Sequence, residues 1–218
     1  MVITFGRKIA WELFPDVLHY VVGTPATYGF AARTGRTLAD NAPEVMLSLV
    51  SGTAAVDYAK RAVAISPKDP DAQLALAISV GKLQPFQGYR QRFDSVHVIK
   101  DACDKVTELD PSNDLGWHVL GRWYQGLAEV DPFHRALAQA VGGLPPATFQ
   151  EAATCFEKAI QLNPNRLMHY VALGTVYAEM GRKDGGRRLI EKGLTMENTD
   201  KDDPQVKHDG EQVLAKLK

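Results

Sequence analysis

The chain is poor in the residues that build covalently or metal-held folds. It has two cysteines in 218 residues, Cys103 and Cys155, far apart and each inside a segment of helical period. They read as small buried apolar residues of a reducing compartment, not as a disulfide or part of a metal site. Net charge is nearly absent: 25 Lys and Arg against 26 Asp and Glu leave −1. That balance gives no general attraction to nucleic acid or an anionic membrane. No apolar run approaches the roughly 18–20 residues that cross a bilayer. The N-terminus mixes Arg7 and Lys8 with Glu12 and Asp16, with no apolar stretch leading to a cleavage site, so a secretory signal is not expected.

Catalytic signatures are missing as well. No Gly-rich phosphate loop follows a strand, because DGGRRL falls inside a helix pair. His97, His118, His134 and His169 show no metal-ligand spacing with Cys or acidic partners. No nucleophile, base and orienting group stand together along the chain. The expectation is a protein with no catalytic site, metal or cofactor.

What the chain does have is a repeat. Trp117, Leu120, Gly121 and Tyr124 stand in the order W-x2-L-G-x2-Y, and Tyr170, Leu173, Gly174 and Tyr177 repeat it. This pattern opens a tetratricopeptide helix pair. Three closing phrases, AISP, ELDP and QLNP, end at Pro67, Pro111 and Pro164. Each Pro lacks an N–H and clashes with the preceding turn, so each ends a helix. The Pro-to-Pro distances are 44 and 53, against 34 for a plain unit. The second helix matching Trp117–Tyr124 begins only near Ala152, with Phe156, Ala159 and Pro164 in the expected positions. Both excesses, of ten and nineteen residues, therefore fall between the two helices of a pair. In the last pair Gly186, Ile190 and Gly193 hold the second-helix positions, and a terminal helix over 205–217 caps the stack. Each unit alone leaves an apolar stripe wet, so only stacking makes a core.

The predicted fold is all-α: a tetratricopeptide-like solenoid of about three and a half helix pairs with long insertions between paired helices. Residues 44–218 form the repeat domain, in which Glu44–Ser51 is a short helix preceding a second one over Ala54–Ser66. Residues 1–43, broken by Gly23, Pro25, Gly29, Gly35 and Pro43, form a separate segment, either disordered or a remnant of a targeting sequence. The second insertion is Ala-rich to Val141 and breaks at Gly142-Gly143. It reads as an extension of the first helix or an added helix, then a loop. Thr148 with Glu151 reads as a capping box for the next helix.

Three phrases carry a family resemblance: ACDKVTELDP (102–111), HVLGRWYQGLAEV (118–130) and LPPATFQEAATCFEKAIQLNP (144–164). They resemble the regulator of microtubule dynamics family, a tetratricopeptide-like group. In that family LGRW is followed by a long inter-helix segment ending in P-P-x-T-x-x-E-A, which Pro145, Pro146, Thr148, Glu151 and Ala152 match. The resemblance covers about residues 54–218. It departs in the insertion, where the family's aromatic-rich stretch is reduced to Phe133, and before Ala54, where the family's first helix pair is not recognisable. The resemblance implies a protein-interaction scaffold linked to microtubules or to an organelle, with tubulin as the implied protein partner.

Two surfaces are candidates for binding. Arg182, Lys183, Arg187, Arg188 and Lys192 set five cations against Asp184 and Glu191, a patch suited to an acidic partner. A solvated helix face with no partner is the plainer reading. The helix register places Leu74, Ile78, His118, Arg122, Gln125 and Val171 on the inner, concave face. That face lacks the Lys and Asn with which chaperone-binding tetratricopeptide domains clamp a peptide carboxylate. Its apolar centre suits an amphipathic helix or, as the alternative function, a lipid. The plainer reading has Leu74, Ile78 and Val171 packed against insertions that fold back into the groove. Arg122 is placed either to fork onto a carboxylate or phosphate or to pair with Glu129 or Asp131. Trp123 faces away from the packing positions and is expected beneath the insertion. The chain is expected in the cytoplasm, or alternatively in or beside a mitochondrion or plastid.

Overall fold

The structure, a computed structural model, describes residues 42–139 and 142–217. Nine α-helices and one short 3-10 turn are described, with no strand among the described residues. They are α1 (Ala42–Ile65), α2 (Pro70–Leu83), α3 (Tyr89–Leu109), α4 (Asp114–Ala128), α5 (Pro132–Gln139), α6 (Phe149–Leu162), α7 (Leu167–Glu179), α8 (Lys183–Thr195) and α9 (Asp203–Lys216). The pairs are α2 with α3, α4 with α6, and α7 with α8. Helix α1, the first of the described helices, packs on α2, and α9 packs on α7 and α8 as the cap. The all-helical repeat read from the sequence is therefore the fold.

Local chemistry sets the helix ends. Asn113 takes the Gly116 amide at 2.9 Å to start α4. Thr148 and Glu151 form the reciprocal capping box that starts α6. At Gly181, φ is +78°, the left-handed turn after α7 that a glycine adopts without a Cβ clash.

The expected break near residue 52 is not made. One continuous helix, α1, covers both segments, because Gly52 is tolerated where a proline would not be. Its missing side chain lets Leu83 of α2 approach: a Cβ at Gly52 would lie 3.1 Å from Leu83 Cδ1. The expected N-terminal segment lies outside the described residues, apart from Ala42 and Pro43, which open α1.

The two insertions take different forms. The first becomes a 3-10 turn, Gln84–Phe86, and an α3 of 21 residues, seven longer than the 14-residue α6. The second adds α5, capped by Asp131, which accepts the Phe133 and His134 amides. Arg135 ties α5 down by donating to the Leu127 and Pro145 carbonyls at 2.5 and 3.2 Å. Trp123 is buried, but its indole N–H donates to the Val96 carbonyl of α3 at 2.8 Å. The preceding repeat holds its polar edge, while Leu144 and Ala147 of the insertion pack against the core cluster that contains it. Cys103 and Cys155 are both buried free thiols, and desolvation pushes the Cys155 thiol up to about 12 and Cys103 higher still.

Candidate functional site

The inner face of the stack is built where the first turn of α4 meets the first turn of α7. Asp114, at the start of α4 and next to the Asn113 cap, meets Arg166 and His169 of the next pair. His169 Nε2 donates to Asp114 Oδ2 at 2.9 Å, and Asn163 donates to the same oxygen at 3.3 Å. Arg166 Nε lies 2.9 Å from that oxygen, close enough for an ion pair but without hydrogen-bond alignment. His169 Nδ1 then lies 3.0 Å from His118 Nδ1.

Proton positions follow from the acceptor at one end. Asp114 takes the His169 Nε2 proton, so neutral His169 offers Nδ1 as an acceptor. His118 must then carry its proton on Nδ1. Burial is the main cause holding both imidazoles below the usual histidine range. At His118 it is reinforced by His169, Arg122 and Arg166, while at His169 the Asp114 carboxylate partly offsets it. The His118 ring also tilts against Phe156, centroids 5.2 Å apart. The trio is a polar joint between neighbouring helix pairs, its hydrogen bonds directed inward.

The other predicted inner-face residues divide. Leu74 is buried and Ile78 partly buried in the first core cluster, which also takes Phe86, Leu144 and Ala147 from the insertions. Val171 faces the opposite way along the stack. A Cβ at Gly193 would come within 2.8 Å of it, and one at Gly210 of α9 within 3.2 Å. Gln125 is fully buried and donates to Glu129 at 3.0 Å. Arg122 is half-buried beside His118 and is engaged with a partner. Leu74 and Val171 thus serve packing, and the cap helix as well as the insertions covers this face.

The five-cation patch is also spread out. Arg182 stacks on Tyr177, its guanidinium carbon 3.7 Å from the ring centre. Arg187 donates to the Leu217 carbonyl at 2.9 Å. Lys192 lies 4.3 Å from the centre of the Tyr170 ring and donates to its hydroxyl at 3.2 Å. Of the five, only Arg187 is less than fully exposed. At roughly 100° per residue, Lys183 and Arg187 fall on one side of α8 and Arg188 and Lys192 on the other. The structure therefore sets the five cations around the helix instead of gathering them on one face.

Sequence reading missed Asp114 and Arg166, and set His169 aside for lack of ligand spacing. A signal did exist: the repeat register lays the first turn of one pair beside the first turn of the next. Among the described residues no group of three His, Cys, Asp or Glu is arranged to hold a metal ion. No helix among them is long and apolar enough to cross a membrane.

Comparison with known proteins agrees with this architecture. The fold resembles that of a thermophilic TPR protein from Thermus thermophilus, with a TM-score of 0.56 and 22% identity, covering 79% of this chain and 75% of that one. Regulator of microtubule dynamics protein 1 of Mus musculus is 27% identical over 165 residues, 75% of this chain and 54% of the relative. Regulator of microtubule dynamics protein 3 of Bos taurus is 27% identical over 169 residues, 71% of this chain and 36% of the relative. The chain thus spans about half the length, or less, of these curated relatives. With residues 31–218 matching the family model for regulator of microtubule dynamics protein 1-3, across the helix pairs and both insertions, the chain belongs to that family.

Proposed function

We propose that the chain is a non-catalytic protein-interaction scaffold with a microtubule-linked or organelle-linked adaptor role. The carrying observation is the family match over residues 31–218, laid on a stack of paired helices. The inner-face chemistry supports a scaffold over an enzyme. Asp114, His169 and His118 are hydrogen-bonded to one another and bridge two repeats. Arg182, Lys183, Arg188 and Lys192 are all exposed, and of these Lys183 and Arg188 are proposed to meet an acidic protein surface such as a microtubule. Arg187 and Lys192 are already bonded within the chain. The lipid-binding alternative has less support, since Leu74 and Val171 are buried in packing.

Co-sedimentation with microtubules at low and high salt tests the reading. We expect pelleting at low salt that weakens as the ionic strength rises. Lys183→Glu with Arg188→Glu should reduce it several-fold without changing the melting temperature. Absence of pelleting at low salt would remove the microtubule link and leave only the scaffold.

A further inference from the structure

The acidic run after α8, Thr199-Asp-Lys-Asp-Asp-Pro204, folds into a tight turn that reaches across the stack. The Asp203 carboxylate is buried and accepts the Thr199 amide at 2.7 Å and the Asp200 amide at 2.8 Å. Asp200 in turn accepts the Asp202 amide at 3.3 Å. With its backbone stapled this way, the turn presents the Asp200 and Asp202 side chains outward, and each meets a cation from a different repeat. Lys82, in the last turn of α2, lies 3.4 Å from Asp202 across 120 residues of sequence. Arg166, at the start of α7, lies 3.8 Å from Asp200 through Nη1. Arg166 is pre-oriented, because its Nε side faces Asp114.

We propose that this turn is an intramolecular occupant of the Lys82–Arg166 cation pair, which an acidic peptide with carboxylates two residues apart competes to fill. The occupant itself supplies the argument for the partner. Two carboxylates with one residue between them already span the two cations, so the spacing and the charge of a matching ligand are built into the chain. The contacts are also suited to exchange. Side-chain exposure is 51% and 56% at Lys82 and Asp202, and an exposed pair is worth no more than about a fivefold factor. Opening rotates Asp200 and Asp202 and gives up the long Asp202 amide contact to Asp200, while both Asp203 bonds stay intact. Helix α9 stays seated through Gly210, where a Cβ would meet Ile190, Val171 and Leu194 at 3.1–3.4 Å. The inference rests on the scaffold reading but not on microtubules as the partner.

The test is fluorescence anisotropy of a fluorescein-labelled hexaglutamate peptide at low salt. Asp200→Asn with Asp202→Asn removes the competing charges and leaves Asp203 in place. This variant is expected to bind the peptide about fivefold more tightly than the wild type. Adding Lys82→Gln should cancel the gain, and high salt should erase both differences. Equal binding by the double variant and the wild type would overturn the proposal, as would a gain that survives Lys82→Gln. Peptide competition without microtubule pelleting would sink the microtubule reading alone. Pelleting without competition would sink only the clasp.

Discussion

The joint inside the last helix pair and the joint between α4 and α7 are built on opposite principles. Inside the pair, α7 and α8 meet backbone to backbone. A Cβ at Gly186 would lie 2.6 Å from the Gly174 carbonyl, and one at Gly174 would lie 2.7 Å from the Gly186 carbonyl. Between pairs, the same α7 meets α4 through His169, Asp114 and His118, a chain of hydrogen-bonded side chains. The first joint excludes side chains, whereas the second depends on them. Close backbone approach makes a rigid pair, while a buried polar chain sets the register between pairs and makes it depend on protonation.

The largest expected effect breaks the first joint. Gly186→Val forces a side chain against the Gly174 carbonyl and the Ala178 amide, backbone atoms that cannot rotate away. We expect a loss of about 3 kcal/mol, read by chemical denaturation. Asp114→Ala attacks the second joint, leaving His169 and Arg166 without their shared acceptor. A loss of about 2 kcal/mol is expected, smaller than at Gly186 because Arg166 retains Asp200.

Acid should separate the two joints without mutation. Both histidines are held below their ordinary range, so the folded state prefers them neutral. Their stabilising contribution is complete above the unfolded-state pKa of about 6.5 and is lost as pH falls below it. Denaturation at pH 7 and pH 5 should show a decline of about 1 kcal/mol or more in the wild type. The decline should be shallower in His118→Gln, which keeps an N–H for His169 Nδ1 and does not titrate. An equal decline in both proteins would remove the histidine joint as its source. The smallest effect is at Gly88, the N-cap of α3: Gly88→Ala has open space around the new Cβ and should lose only about 0.5 kcal/mol, because Ala is the poorer N-cap.

Much of the first joint was legible in the sequence. Gly174, Gly186 and Gly193 stand at tetratricopeptide packing positions, and small residues at such positions have one physical reading, close approach. The capping box at Thr148 and Glu151 was legible because a cap is a local bond over three residues. The break expected before Ala54 was a misreading for a related reason: glycine weakens a helix without stopping it. The partner of the Trp123 indole N–H was not legible, because periodicity says which way a side chain points, not which element waits there.

The sequence by itself determined the helix periods, the prolines that end them, the small residues between paired helices and the presence of two insertions. These follow from the backbone chemistry of one segment at a time, with the repeat supplying the order of stacking. Only the tertiary structure decided the contacts between distant side chains: Asp114 with His169, Trp123 with Val96, Lys82 with Asp202. It also spread the five cations of α8 around the helix and tied two of them to the Leu217 carbonyl and the Tyr170 hydroxyl. The physical reason is that such contacts depend on the angle and distance between helices far apart in the chain. A shift of one or two ångströms there makes or breaks a hydrogen bond while leaving every local pattern unchanged.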